Sequence, residues 1–323
     1  APGRVLRGAP MTEPDPHAVD PADEGRHAPS DDPLWNESHY LDFVSEDGKV
    51  SGYARIGLYP NLGVTWWTTM ITGPDRPLVA SVAYDWPLPD AGLVLRSDGF
   101  TVNVDVVSPL DRLRLHGTAP ARVHGGPEAI YRNEEGSPTT IDFDLTWSTD
   151  GVPYQYEVTT RYEIPCLVVG TFTVGDQVLA IEGQGQRDHS WGVRDWWAFS
   201  WCWFAGRLDD GTRVHGADIR IPGSRLPLGY VQHPTGGVVT IEGLDVTEEL
   251  GVEGMPTAAR ARIDPGGLEL TIEPMAYAPL VLTASDGRVS RFPRCQVRFT
   301  AFDGRQGTGW IEWNQPDPAS TGQ

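Results

Sequence analysis

Apolar and polar positions along most of this chain alternate with a period of two, and runs with a helical period are scarce. Ile141–Trp147 is the clearest case: Ile141, Phe143 and Leu145 fall on one face, with Asp142, Asp144 and Thr146 on the other. Alternation of this kind belongs to half-buried strands. Similar patterning or β-rich composition predicts strands over Tyr40–Val44, Gly52–Tyr59, Val64–Ile71, Leu78–Trp86, Leu93–Ser97, Thr101–Ser108 and Arg112–Gly117. A long strand polar on one face is expected over Tyr154–Ile164, followed by Cys166–Val174 and Gln177–Gly183. An Arg207–Arg213 hairpin turning at Asp210-Gly211 opens a second series of short strands that runs to Gly307–Trp313. Only Glu128–Glu134 and Val246–Leu250 read as single turns of helix.

Many short strands with turn residues between them mean sandwiches or barrels. The expectation is an all-β protein of two antiparallel β-barrels packed side by side, one over 33–183 and one over 184–315, joined near Gly183. No internal repeat marks the join. Residues 11–33 are rich in Asp, Glu and Pro and hold almost no large apolar side chain, so they should be extended or disordered unless they wrap the body. Ala1–Pro10 reads as an expression remnant ahead of a natural start at Met11, and 316–323 as a frayed tail.

Charge and composition narrow the partners. A formal net charge of −19 argues against nucleic acid and anionic membranes, both of which it would repel. No run approaches the ~18 apolar residues of a membrane span, and no secretory leader is visible. The expected setting is therefore cytoplasmic, with a homodimer left open. The three cysteines, Cys166, Cys202 and Cys295, are odd in number and lack a C-x-x-C spacing, so no disulfide framework is expected. Phosphate-loop, dinucleotide-fold, nucleophile-elbow and H-E-x-x-H motifs are missing, and no two of the eight histidines form an H-x-H pair. A cupin-like metal site is therefore not expected. What remains is acid/base chemistry by carboxylates, histidine and aromatic groups.

That chemistry concentrates in Gly183–Phe204, which holds five of the twelve tryptophans, two arginines, two aspartates and a histidine. Up to about Gly192 this stretch is glycine-punctuated and reads as a loop or crossing segment. Beyond it, Trp197, Phe199, Trp201 and Trp203 alternate with Ala198, Ser200 and Cys202, as on a strand whose small-residue face leaves room for a ligand. Asp188 is the sharpest candidate: a carboxyl group desolvated among tryptophans is pushed toward its neutral form and can deliver a proton at neutral pH. The plainer alternative is an ion pair from Asp188 or Asp195 to Arg187 or Arg194, and for Asp195 it is preferred. His189 is a second acid/base candidate, though a core histidine is an equal reading. Trp191, Trp197 and Trp201 are candidates to line a cation, each ring face contributing roughly 0.5–2 kcal/mol. Glu37 and Tyr40, and a second cluster with Arg55, Trp66, Tyr84 and Asp85, are expected to face the same space; either carboxylate would serve as a further acid or base.

Gln186-Arg187-Asp188-His189-Ser190-Trp191-Gly192, with the aromatic strand after it, resembles the AttH-type double-lipocalin family. That family includes the carotenoid 1,2-hydratases, and kievitone hydratase and several fungal Diels–Alderases share its architecture. Trp35–Tyr40 and Gly57–Asn61 resemble the N-terminal motifs of an uncharacterised bacterial branch of the group. The resemblance implies two calycin-like barrels, an apolar cavity and no cofactor. It also implies that a carboxylic acid protonates an isoprenoid double bond, a role that carries over onto Asp188, with His189 or Tyr40 placing the water. The expected function is then a cofactor-independent hydratase or dehydratase acting on a terpenoid-type alkene or tertiary alcohol. A cyclase for a polyene and a non-catalytic carrier of lipophilic ligands are the alternatives.

Overall fold

The computed structural model describes residues 15–235 and 237–317. The expectations for Ala1–Pro10, Met11 and the tail beyond Asp317 lie outside the described residues. The first sheet contains β1 (Trp35–Ser45), β2 (Ser51–Tyr59), β3 (Val64–Gly73), β4 (Arg76–Pro87), β5 (Leu93–Ser97), β6 (Phe100–Ser108), β7 (Arg112–His124), β8 (Ser137–Thr149), β9 (Tyr154–Gln155), β10 (Arg161–Val174) and β11 (Gln177–Val193). Its order is β4-β3-β2-β1-β11-β10-β8-β7, and pairing of β4 with β7 closes these eight strands into a barrel. β5 and β6 continue from β7 as a flap, and β9 pairs with β10. The second sheet contains β12 (Ser200–Leu208), β13 (Arg213–Ile221), β14 (Ser224–Gln232), β15 (Val238–Thr240), β16 (Gly243–Leu250), β17 (Pro256–Asp264), β18 (Leu268–Tyr277), β19 (Leu280–Thr283), β20 (Val289–Phe292), β21 (Arg294–Ala301) and β22 (Gln306–Pro316). It runs β15-β14-β13-β12-β22-β21-β18-β17-β16 and curls until β16 touches β13 and β14. The chain is thus all-β, in two antiparallel curled sheets.

Period-two patterning builds both interiors. In β8, Ile141, Phe143, Leu145 and Trp147 are buried while Asp142 and Asp144 point out. They meet Trp67 and Phe172 inside the first barrel; Phe204, Phe299 and Trp313 fill the second. A third core lies between the barrels and joins Tyr40 and Tyr53 to Trp197, Trp203, Phe292 and Trp310. The side chains of that core come from β1, β2, β3 and β4 on one side and from β12, β13, β22 and the β19–β20 hairpin on the other, with Trp196 and Trp197 of the crossover between them.

Several expectations change. β11 is continuous through Gly183 to Val193, so the change of sheet comes after Val193 and the expected boundary at 183 falls inside a strand. Gly183 and Gly185 are there for close approach rather than for turning: an added Cβ would come within 2.1 Å of the Val44 carbonyl oxygen and 1.9 Å of that of Asp42 on β1. Residues 194–199 form the crossover, so the aromatic strand begins at Ser200 instead of Trp197. Val246–Leu250 is part of β16, and Tyr154–Ile164 breaks at 156–160. Pro316, expected in the tail, ends β22.

Residues 15–32 wrap the body. His17 stacks on Tyr154 at 4.3 Å between ring centroids, and Arg26 Nη2 donates to the carbonyls of Pro89 and Gly92. A 3₁₀ turn, Pro21–Glu24, capped by Asp20, buries Glu24 against Arg187 inside the first barrel with Nη1 to Oε1 at 2.7 Å. Few apolar contacts are needed, because buried charge pairing and hydrogen bonds carry the attachment. Breaking a buried pair strands the remaining charge, so Glu24→Ala should lower the unfolding free energy by about 3 kcal/mol. Urea denaturation checks this; a loss within error of zero would show that the segment contributes nothing to the fold.

Candidate active site between the barrels

The alternation along β11 divides the central motif between two environments. Arg187, His189 and Trp191 turn into the mouth of the first barrel, whereas Gln186, Asp188 and Ser190 turn toward the second sheet. β1 pairs with β11 in antiparallel register, Tyr40 opposite Asp188 and His39 opposite His189, so its residues divide the same way.

The barrel-mouth group is a closed polar cluster. His27 Nδ1 and His189 Nε2 both meet Glu37 Oε1, at 2.7 and 3.1 Å, and the His39 ring stacks on His189 at 3.9 Å. Trp191 stacks flat on His27 at 3.7 Å, and Tyr162 Oη lies 3.3 Å from His189 Nδ1. Burial works against the Glu37 charge, but hydrogen bonds from His189 and His27 outweigh it and hold its carboxyl below the usual value. His189, Glu37, Trp191 and Arg187 are therefore buried together, away from Asp188. Asp85 is exposed on β4. Trp66 and Tyr84 pack edge to face at 5.2 Å in the inter-barrel core, where Trp197 donates Nε1–H to the Leu282 carbonyl.

The other face of β11 lines a cavity of about 300 Å³ between the sheets. Of the sequence candidates it collects Asp188, Tyr40, Arg194 and Trp201, and Arg55 joins them. Trp196, Phe199, Trp203, Ile219, Leu226 and Leu228 supply apolar walls. The aromatic side of β12 faces this space, while Cys202 on the small-residue side is buried in the second barrel. The expected arrangement is thus reversed: a narrow barrel interior accepts the smaller groups beside Phe204, and the wide gap between barrels accepts the tryptophans.

Asp188 is buried here, and Arg161 Nη2 donates to its Oδ2 at 2.7 Å. Its pKa is pushed up to about 7, chiefly by burial; Arg161, Arg194 and Arg55 oppose the rise and Glu163 adds to it. Arg161 also donates Nε–H to Glu163 Oε1 at 2.8 Å. Burial weakens the Arg161 charge, but the two carboxylates more than restore it. Glu163 is held further by Trp203 Nε1 at 3.1 Å and Gln186 Nε2 at 2.9 Å. Behind it, burial drops His215 to about 3, so its ring is neutral; Nδ1–H donates to the Phe204 carbonyl and Nε2 accepts from Tyr156 Oη. On the far wall Arg294 pairs with Glu312, which also accepts from Trp201 Nε1 at 3.0 Å. Asp195 pairs with Arg288, and neither Asp188 nor Asp195 takes the arginines expected from sequence.

Sequence reading missed Arg161, Glu163, Tyr156, Trp203 and Glu312 as site residues. The polar face noticed on Tyr154–Ile164 was the available signal: Arg161 and Glu163 are that face, and in register Glu163 sits opposite Asp188. Burying Asp188 has a thermodynamic signature. Its folded pKa lies above its unfolded value, so the native state holds the extra proton, and stability is lost as pH rises from about 4 through about 7. Asp188→Asn should remove this penalty, raising stability at pH 8 by on the order of 2 kcal/mol and by much less at pH 5. Denaturant midpoints at the two pH values measure it, and a pH-independent difference would contradict the shift.

A family model described as Domain of unknown function (DUF7064) matches residues 20–317. No curated protein matches the chain in sequence. Among solved structures, a protein assigned as AttH (NE1406) from Nitrosomonas europaea superposes with a TM-score of 0.62 at 14% identity, covering 94% of this chain and 98% of that one. Kievitone hydratase from Nectria haematococca gives 0.59 at 12% identity over 87% and 88% of the two chains. CghA with Sch210972 gives 0.58 at 11% over 88% and 89%. At these identities the likeness is one of fold, and it agrees with the double-lipocalin architecture expected from the D-H-x-W-G motif.

Proposed function

The chain belongs to the DUF7064 family, and from its inter-barrel cavity we propose that it is a cofactor-independent hydratase or dehydratase acting on the alkene or tertiary alcohol of a lipophilic, terpenoid-type molecule. One observation carries the reading: a carboxyl group with a pKa of about 7, Asp188, lines a mainly apolar, aromatic-walled cavity. Such a group is present in both protonation states near neutrality, as an acid that must later act as a base requires.

In the hydration direction neutral Asp188 gives its proton to the less substituted alkene carbon. The π pair forms the new C–H bond and leaves a tertiary carbocation. A water oxygen adds to that carbon, and the proton it sheds returns to the Asp188 carboxylate, so alkene and water become an alcohol with the acid regenerated. Arg161 holds the carboxylate in its ionised interval. The faces of Trp201 and Trp203 stabilise the cation by roughly 0.5–2 kcal/mol each, and Tyr40, beside Asp188 on the opposite wall, positions the water. Kievitone hydratase, a hydratase by name with this fold, is consistent with the reading. The finer placement beside the carotenoid 1,2-hydratases rests on the D-H-x-W-G motif.

A second reading, cyclisation of a polyene, uses the same aromatic walls and is favoured by the fourfold arginine lining of the cavity, which would polarise a conjugated substrate. Turnover in ¹⁸O-water separates the two, because hydration incorporates the label and cyclisation gives an unlabelled isomer. Asp188→Asn should lower kcat at least about 10³-fold with little change in ligand affinity. Wild-type hydration should fall as pH rises through about 7, where the acid loses its proton. Full activity of the variant on a substrate that the wild type hydrates would remove Asp188 from the mechanism.

A further inference from the structure

The charges lining the inter-barrel cavity do not balance. Four guanidinium groups, those of Arg55, Arg161, Arg194 and Arg294, line it. Arg161 is paired with Asp188 and Glu163, and Arg294 with Glu312. Among the described residues Arg55 and Arg194 have no carboxylate within ion-pair distance. Arg55 is buried, its Nη2 donates to the amide oxygen of Asn36 at 3.4 Å, it also hydrogen-bonds the Tyr59 hydroxyl, and its guanidinium carbon lies 4.9 Å over the Trp196 ring; its partners are neutral. Arg194 Nη2 is buried with no hydrogen-bond partner at all. The Asp195 carboxylate beside it is turned to Arg288.

A buried cation without a counter-charge costs stability, and water or an anion must repay it. We infer that the occupant of this cavity is a lipophilic organic acid, whose anionic group is received by Arg194 and Arg55 while its apolar body lies against Phe199, Leu226 and Leu228. A guanidinium fork suits a planar two-oxygen anion such as a carboxylate, and the apolar walls exclude a small inorganic ion as the main ligand. Burial pulls Arg194 down to about 10, with Arg161's positive charge adding to the fall and the Asp188 carboxylate opposing it; a bound anion would oppose it further. This inference deepens the reading of the cavity as a reaction site and rests on it for the position of the ligand, since an acid anchored at Arg194 has its hydrocarbon part in the same room as Asp188.

Two naphthalene probes that differ by one charged group test it on the full chain. 1-Anilinonaphthalene-8-sulfonate and neutral N-phenyl-1-naphthylamine are titrated by fluorescence, with energy transfer from the cavity tryptophans reporting location. The sulfonate should bind at least tenfold more tightly than the amine, despite the net charge of −19 repelling it. Arg194→Gln should erase that preference and leave the amine unchanged, and Arg55→Gln should reduce it by a smaller factor. Arg194→Gln removes a half-buried charge with no ion-pair partner among the described residues, so its melting temperature should equal or exceed that of the wild type; Arg55→Gln gives an independent reading of the same preference. Equal binding of the two probes, or a preference that survives both substitutions, overturns the inference. Binding of neither overturns the ligand cavity as well. Persistence of the preference alongside full activity of Asp188→Asn supports the inference while removing the proposed acid.

Discussion

Everything at the site depends on the register between β1 and β11. Because successive residues on a strand face opposite ways, this pairing decides that Asp188 and Tyr40 look toward the second barrel and His189, Glu37 and Trp191 into the first. A slip of one residue would exchange the acid for the histidine. Gly183 and Gly185 help fix the register, since only glycine admits the β1 carbonyls of Val44 and Asp42 at the distances observed. At the same level Asp42 Oδ1 accepts from the Gln186 amide at 2.8 Å, and Trp147 Nε1 donates to the Asp42 carbonyl, tying both strands to β8. These are backbone-directed contacts, so they hold the strand rather than any one side chain.

Two kinds of buried polar group follow from that division. In the barrel mouth each charge has an opposite partner: Glu37 takes two imidazoles, and Arg187 takes Glu24 from the wrapped segment. Sealed over by residues 15–32, this cluster acts as a polar plug. Between the barrels the balance is left open. Arg161 bridges Asp188 and Glu163 with one guanidinium for two carboxylates, whereas Arg194 and Arg55 face the cavity with no carboxylate at ion-pair distance among the described residues. Incomplete pairing in a low-dielectric space destabilises the empty fold and strengthens whatever charge or proton enters it, which is the usual exchange of stability for chemistry.

Much of the fold was legible because burial on one face leaves a period-two trace, as in Ile141–Trp147, and because helical periodicity was absent. The boundary was not. Glycines at 183, 185 and 192 signal a turn in most contexts, and nothing local distinguishes a turning glycine from one that lets two strands close in. Asp188, Arg194 and Trp201 were legible as a cluster from aromatic and charged residues packed into one stretch, and Tyr40 from a separate aromatic cluster near the N-terminus. Their separation from His189 and Glu37 was not, because adjacent residues in sequence face opposite ways once the stretch is a strand instead of a loop. Arg161 and Glu163 went unassigned for a different reason: they lie about 25 residues before the motif and meet Asp188 only through the β10–β11 ladder, a long-range pairing that spacing alone does not reveal.

The position of the cavity follows from barrel size. The eight-stranded first barrel encloses a space that ordinary side chains fill, here Trp67, Phe143, Trp147 and Phe172, and Phe204, Phe299 and Trp313 pack inside the curl of the second sheet. The cavity that collects Asp188 therefore lies outside both of these packed interiors. Two convex barrel walls can touch only along a line, and where they diverge a gap opens whose sides are sheet surfaces. The crossover at 194–199 spans that gap and delivers Arg194, Trp196 and Phe199 to its rim, and the break at 156–160 lays Tyr156 and Val158 along another edge. The walls thus come from ladder-fixed strands and the rims from irregular backbone. Asp188, Arg161 and Trp203 are held rigidly on the strands, while the groups that would contact a ligand's outer end stand on segments able to vary, so a change of ligand would be accommodated at 194–199 and 156–160 without disturbing the acid.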